Sequence, residues 1–124
     1  MLSTRLAVNI SMLDFSDRYA NTQLINFFRH RFTFDPDSPS GLSNRIHVRK
    51  NSQIGKPVGE KHPSGWRVKI KGKTYPIAHI VLILHGSFPE PGQVARHGRY
   101  GRFDNRLKNI YWGLPAHADL RSSR

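Results

Sequence analysis

The chain reads as an α+β protein in which a short helix precedes a small antiparallel sheet with a cationic face and a second, buried helix. Three observations predict this. Leu24, Phe27 and Phe28 recur at helical spacing within residues 17–30, "DRYANTQLINFFRH". Trp66, Val68 and Ile70 alternate with Arg67, Lys69 and Lys71 in "GWRVKIKGKTYPI", the period of two of a half-buried strand. Ile77, Ile80, Val81 and Leu84 share one helical face of "PIAHIVLILHG".

The first helix, over 17–30, opens on Asp17 and closes on Arg29 and His30, which complements the helix dipole. The segment "DPDSPSG", residues 35–41, is turn chemistry throughout and marks a boundary. From Gly41 to Ile77 strands are expected, with "NRIHVRK" and "KPVGEK" adding to a hairpin that turns at Gly72. Pro76 at a first helical position and Gly86 at a C-cap bracket the buried helix, and its many β-branched residues leave a strand as the alternative. His79 and His85 within it read as core or capping histidines ahead of metal ligands. The organisation expected is an N-terminal helical segment (1–34), a small basic antiparallel sheet (35–75) and a helix with a C-terminal unit (76–124), in a single compact domain.

With 124 residues and no cysteine, neither a disulfide framework nor a thiolate zinc site is available. The longest apolar run, "IAHIVLILHG", is about half of the roughly 20 residues that span a bilayer, so no membrane anchor is expected. No signal peptide is read in "MLSTRLAVNISML", and an intracellular setting is expected. Lys and Arg total 20 against 8 Asp and Glu, a net charge of +12. Residues 1–37 hold four basic and four acidic side chains, so the whole excess lies beyond them. Between residues 45 and 73 nine Lys or Arg face one acid, Glu60. Such a field draws polyanions, and nucleic acid is the partner it predicts.

Residues 96–113, "RHGRYGRFDNRLKNIYWG", add to this charge the parts of a site. Hydrolysis of a phosphodiester at neutral pH needs a base for water and an electrophile for the leaving oxygen. His97 supplies an imidazole among Arg96, Arg99, Arg102 and Arg106, whose charge favours its neutral form. Asparagines hold a loop through backbone bonds, and glycines let it turn.

This stretch, extended to "VARHGRYGRFDNRLKNIYWG", resembles the core of the HNH endonucleases of phages and homing elements, whose ββα-metal motif reads as His, a glycine-bearing loop, "(D/N)NR" and "N-(L/I)-x-W-G". The order of "FTFDPDSPSG", "SGWRVKIKGKTYPIAHIVLILHGSFP" and the His motif is similar too, so the resemblance covers residues 32–114. It implies an α+β fold with a small antiparallel sheet plus helix followed by a ββα-metal core. It implies a metal-dependent endonuclease acting on double-stranded DNA in the cytoplasm, the host's if phage-encoded. His97 matches the general base, and Asn109 the central asparagine that ties the loop and orients the histidine. Asp104 and Asn105 match the pair that shapes the loop, with Arg106 beside them. Arg96 stands where many relatives carry a metal-binding aspartate. Past "WG" the family continues "T-x-x-E-N"; here Leu114 replaces the threonine and Ala118 the asparagine, leaving His117 and Asp119 as the ligands for a divalent ion, Mg²⁺ first and Mn²⁺ or Zn²⁺ as alternatives. DNA contacts are expected from Arg67, Lys69, Lys71 and Lys73 on the sheet and from Arg96, Arg99, Arg102 and Arg106 in the motif. The alternative is an HNH-fold protein that binds DNA without cutting it. An RNA-binding reading explains the charge but not the histidine with its asparagines. One active centre predicts a nick from a monomer and a double break from a dimer.

Overall fold

A computed structural model describes residues 14–49 and 53–115. The helix expected over 17–30 is two helices, α1 (Phe15–Arg18) and α2 (Thr22–Arg31). Asn21 is the cause. Its side-chain oxygen accepts from the backbone N–H groups of Gln23 (2.9 Å) and Leu24 (3.3 Å), capping a new helix inside the apolar pattern. Helix α2 buries Ile25 and Phe28 and places Arg29, His30 and Arg31 in its last turn, where the dipole favours cations.

Strand β1 (Phe32–Phe34) turns through the acidic-proline segment and pairs antiparallel with β2 (Leu42–Asn44). The turn is held by Asp35, whose carboxylate accepts from the backbone of Asp37 at 2.9 Å and from the Ser43 hydroxyl. The strand expected in "NRIHVRK" ends at Asn44. Asn44 donates its backbone N–H to Lys56 (2.9 Å) and accepts from Gly55 (2.9 Å), so the ladder closes there. The alternating Ile46 and Val48 beyond it find no partner strand among the described residues.

Strands β3 (Glu60–His62), β4 (Gly65–Ile70) and β5 (Lys73–Pro76) form an antiparallel sheet in that order. A tight turn at Lys71 and Gly72, with Lys71 at a φ of 49°, brings Ile70 opposite Lys73. The small sheet expected over 35–75 is thus two separate sheets, β1–β2 and β3–β4–β5. Helix α3 (Ile77–Leu84) follows directly on β5, and every residue from Ile77 to Ile83 is buried. Burial on all sides outweighs the low helix propensity of its β-branched residues. It ends in a Schellman motif: Gly86, at a φ of 81°, donates to Ile83 O (2.9 Å) and Ser87 donates to Leu82 O (3.0 Å).

The last sheet pairs β6 (Val94–His97) with β7 (Ile110–Gly113), His97 opposite Ile110, across a loop that closes in a 3₁₀ turn, Leu107–Asn109. One hydrophobic core includes Tyr19, Phe28, Phe32, Leu42, Tyr75, Ile80 and Ile110. All three sequence segments contribute to it. The architecture is α+β, and no helix among the described residues is long and apolar enough to cross a membrane.

Candidate functional site

Histidine 97 is the last residue of β6, and the loop that leaves it folds back so that two asparagines lie buried beside it, Asn105 at 3% exposure and Asn109 at 2%. A buried amide demands partners, and both have them. Asn105 Nδ2 donates to the Ser40 carbonyl at 2.8 Å, and its Oδ1 faces His97 Nε2 at 2.7 Å. A carbonyl only accepts, so the hydrogen-bond network sets the amide with its NH₂ toward Ser40 and its oxygen toward the histidine. His97 Nε2 therefore carries the hydrogen. In the neutral ring the lone pair then sits on Nδ1, which forms no hydrogen bond with the described residues.

Asn109 performs the first of the two tasks the resemblance implied. Its Nδ2 donates to the carbonyls of Gly101 (2.9 Å) and Asp104 (2.8 Å), and its Oδ1 accepts from the backbone of Tyr100 (3.0 Å). It ties the loop as expected, but the residue that touches the histidine is Asn105. Asp104 accepts from the backbone of Arg106 at 3.0 Å and meets its guanidinium at Nε, 2.9 and 3.0 Å. That bond holds the Asp104 carboxyl down at about 2.

Two residues before His97, the backbone of Ala95 donates to His79 Nε2 at 3.1 Å, while His79 Nδ1 meets the Tyr19 hydroxyl at 2.9 Å. The Nε2 lone pair is thus committed, and Nδ1 carries the proton. Burial, helped by the charges of Arg18 and His97, lowers the His79 pKa from 6.5 to about 3, and burial pushes the Tyr19 hydroxyl above its ordinary range. His79 is a strut under β6. Trp112 packs against it, ring centres 4.9 Å apart, and donates Nε1–H to Ser87 O at 3.1 Å. His85 caps α3, its Nδ1 lying 2.8 Å from Val81 O.

His97 opens onto a groove of about 470 Å³ whose walls include Phe15, Arg18, Trp66, Arg67 and Thr74. Arg67 and Thr74 lie on one face of the β4–β5 ladder, since Arg67 pairs with Pro76 and Thr74 with Lys69. The sheet thus presents an arginine to the same groove as a histidine 30 positions later. Lys69 shares that face and is exposed. Lys71 does not: it sits in the turn, with its ammonium 5.6 Å from the Phe27 ring centre. Lys73 stands opposite Ile70, on the face that packs toward Leu24 and Phe27. The period-two pattern ends at the turn, which removes both lysines from the Arg67 face. Arg96 pairs across to Tyr111, its aliphatic stem close to Gly113, while Arg99, Arg102 and Arg106 are exposed on the loop. Arg18 was not anticipated. It reaches the groove over the rings of Phe15 and Tyr75 at 5.2 and 5.7 Å, and nothing in its local sequence distinguishes it from a solvated helix arginine.

Among the described residues no three His, Cys, Asp or Glu side chains converge to hold a metal ion. His117 and Asp119, and the helix that would complete a ββα unit, lie outside the described residues. Comparison with known proteins gives no match: no family model, curated protein or solved structure aligns with the chain.

Proposed function

We propose that the protein is a metal-dependent DNA endonuclease of the HNH type, hydrolysing a phosphodiester of double-stranded DNA with His97 as the base for water. One observation carries the proposal: Asn105 fixes His97 through Nε2, leaving Nδ1 without a bond among the described residues, and His97 lines a groove that also holds Arg18 and Arg67. His79, by contrast, has both ring nitrogens engaged. In this reading a water gives its proton to Nδ1, its oxygen bonds to phosphorus, and the bond to the leaving sugar oxygen breaks. The guanidinium groups of Arg18 and Arg67 hold the flanking phosphates. Dependence on a divalent ion enters through the resemblance of the 96–113 motif, with His117 and Asp119 as the residues that would hold the ion.

A second reading, a DNA-binding protein of the same fold without catalysis, is favoured by Arg96 in the position of the family's aspartate and Ala118 in that of its asparagine. Supercoiled plasmid incubated in Mg²⁺, Mn²⁺ or EDTA separates the two. The nuclease gives nicked circles with metal only, slowed roughly 10²–10⁴-fold in His97→Ala. Plasmid that is retarded on a gel but never nicked decides for the binding protein.

A further inference from the structure

The loop that follows His97 gathers positive charge in a way the proposed hydrolysis does not use. Two of its aromatic rings collect cations. Around Tyr100 stand Arg99 at 5.5 Å, Arg106 at 5.4 Å and Lys108 at 5.1 Å from the ring centre. Around Phe103 stand Arg102 at 5.4 Å and Lys61 at 4.4 Å, the latter reaching across from β3 in a different sheet. Every one lies within the roughly 6 Å over which a ring face attracts a cation. Five cations are thus held by two rings three residues apart.

The arrangement is short of anions. Asp104 is bonded to Arg106, and among the described residues none of Arg99, Arg102, Lys108 or Lys61 pairs with a carboxylate. Long cationic side chains left to solvent spread apart, because like charges repel and each keeps its rotamer freedom. Here the rings hold them together, and Tyr100 is itself 51% exposed, so the cluster faces solvent. The loop also borders the groove. Gly65, a groove residue, lies so near the Arg102 carbonyl that a Cβ there would stand 3.1 Å from it.

We propose that residues 99–108, with Lys61, form a preorganised phosphate clamp in which Tyr100 and Phe103 position the cations, and that its partner is the backbone of duplex DNA continuing out of the His97 groove. The clamp rests on the DNA reading above but not on cleavage. Its chemistry is that of counterion release: each cation that neutralises a phosphate displaces a condensed ion, and binding weakens steeply with salt. The rings reduce the ordering left to be done on binding.

The test is fluorescence anisotropy of a short labelled duplex in EDTA, which stops any cleavage, across a KCl series. The double variant Arg99→Gln/Lys108→Gln is expected to lower the slope of log K against log salt by about 2. Tyr100→Leu should weaken binding about fivefold at fixed salt, while Tyr100→Phe, which keeps the ring, binds as the wild type does. An unchanged slope in the double variant overturns the clamp, and so does equal binding by Tyr100→Leu and Tyr100→Phe. Should Tyr100→Leu fail to fold, the double variant alone decides. Tighter binding of a structured RNA of equal length, with the loss of slope confined to it, overturns the assignment to duplex DNA. A wild-type protein that binds duplex with the expected slope yet never nicks plasmid refutes the nuclease and leaves the clamp standing.

Discussion

Lowering the pH from 7 to 5 should destabilise this protein through one side chain, His79. In the folded chain its pKa is about 3 against 6.5 when unfolded, because burial opposes the charge and Nε2 is already accepting from Ala95. Below 6.5 the unfolded chain takes up a proton that the folded chain refuses, so stability falls as the pH falls. The slope is about 1.4 kcal/mol per pH unit once the unfolded imidazole is protonated, which makes the loss between pH 7 and 5 about 2 kcal/mol. Asp14, Asp35 and Asp104 have depressed folded pKa values, and their contribution is lost only as the pH falls below the ordinary carboxylate value of 3.8, outside this window. Urea unfolding followed by tryptophan fluorescence at pH 7, 6 and 5 measures the loss. His79→Gln is the control, because its amide oxygen accepts from Ala95 but does not titrate. It should be less stable at pH 7 by about 1–3 kcal/mol, for the lost bond to Tyr19, and should lack the acid slope. A wild-type stability that is flat from pH 7 to 5, or the same slope in His79→Gln, would refute the reasoning.

Two further substitutions probe the site and the frame that carries it. Asn105→Ala releases His97 Nε2 and strands the Ser40 carbonyl, so it should cost about 1–3 kcal/mol in urea and, in the proposed nuclease, slow nicking roughly 10²-fold even under conditions where the variant is fully folded. Gly59→Ala puts a Cβ 2.2 Å from Ile77 Cδ1 and 3.0 Å from the Arg67 carbonyl at a φ of +100°, so a loss of about 2 kcal/mol or more is expected; a melting temperature equal to wild type would show that β3 and α3 pack otherwise.

Much of the local architecture was legible in the chain. The alternation of Trp66, Val68 and Ile70 marked β4, and Pro76 with Gly86 bracketed α3, because strand period and helix ends are encoded in residues a few positions apart. Asn21 shows the limit of reading apolar spacing alone, since its cap splits a pattern that is periodic across it. Lys71 and Lys73 show the same for charge: the alternation runs on in the sequence while the backbone turns beneath it.

By itself the sequence determined the α+β class, the concentration of positive charge beyond residue 37 and the grouping of His97, Asn105 and Asn109 in one short stretch. Which asparagine serves the histidine was decided only by the tertiary structure. Asn105 is oriented by Ser40, 65 positions earlier, and the groove joins His97 to Arg67 and Arg18 from two other elements. Periodicity and capping act over a turn or a strand, whereas a buried amide takes its direction from whatever donor or acceptor the packed core brings to it, and that partner has no fixed distance along the chain.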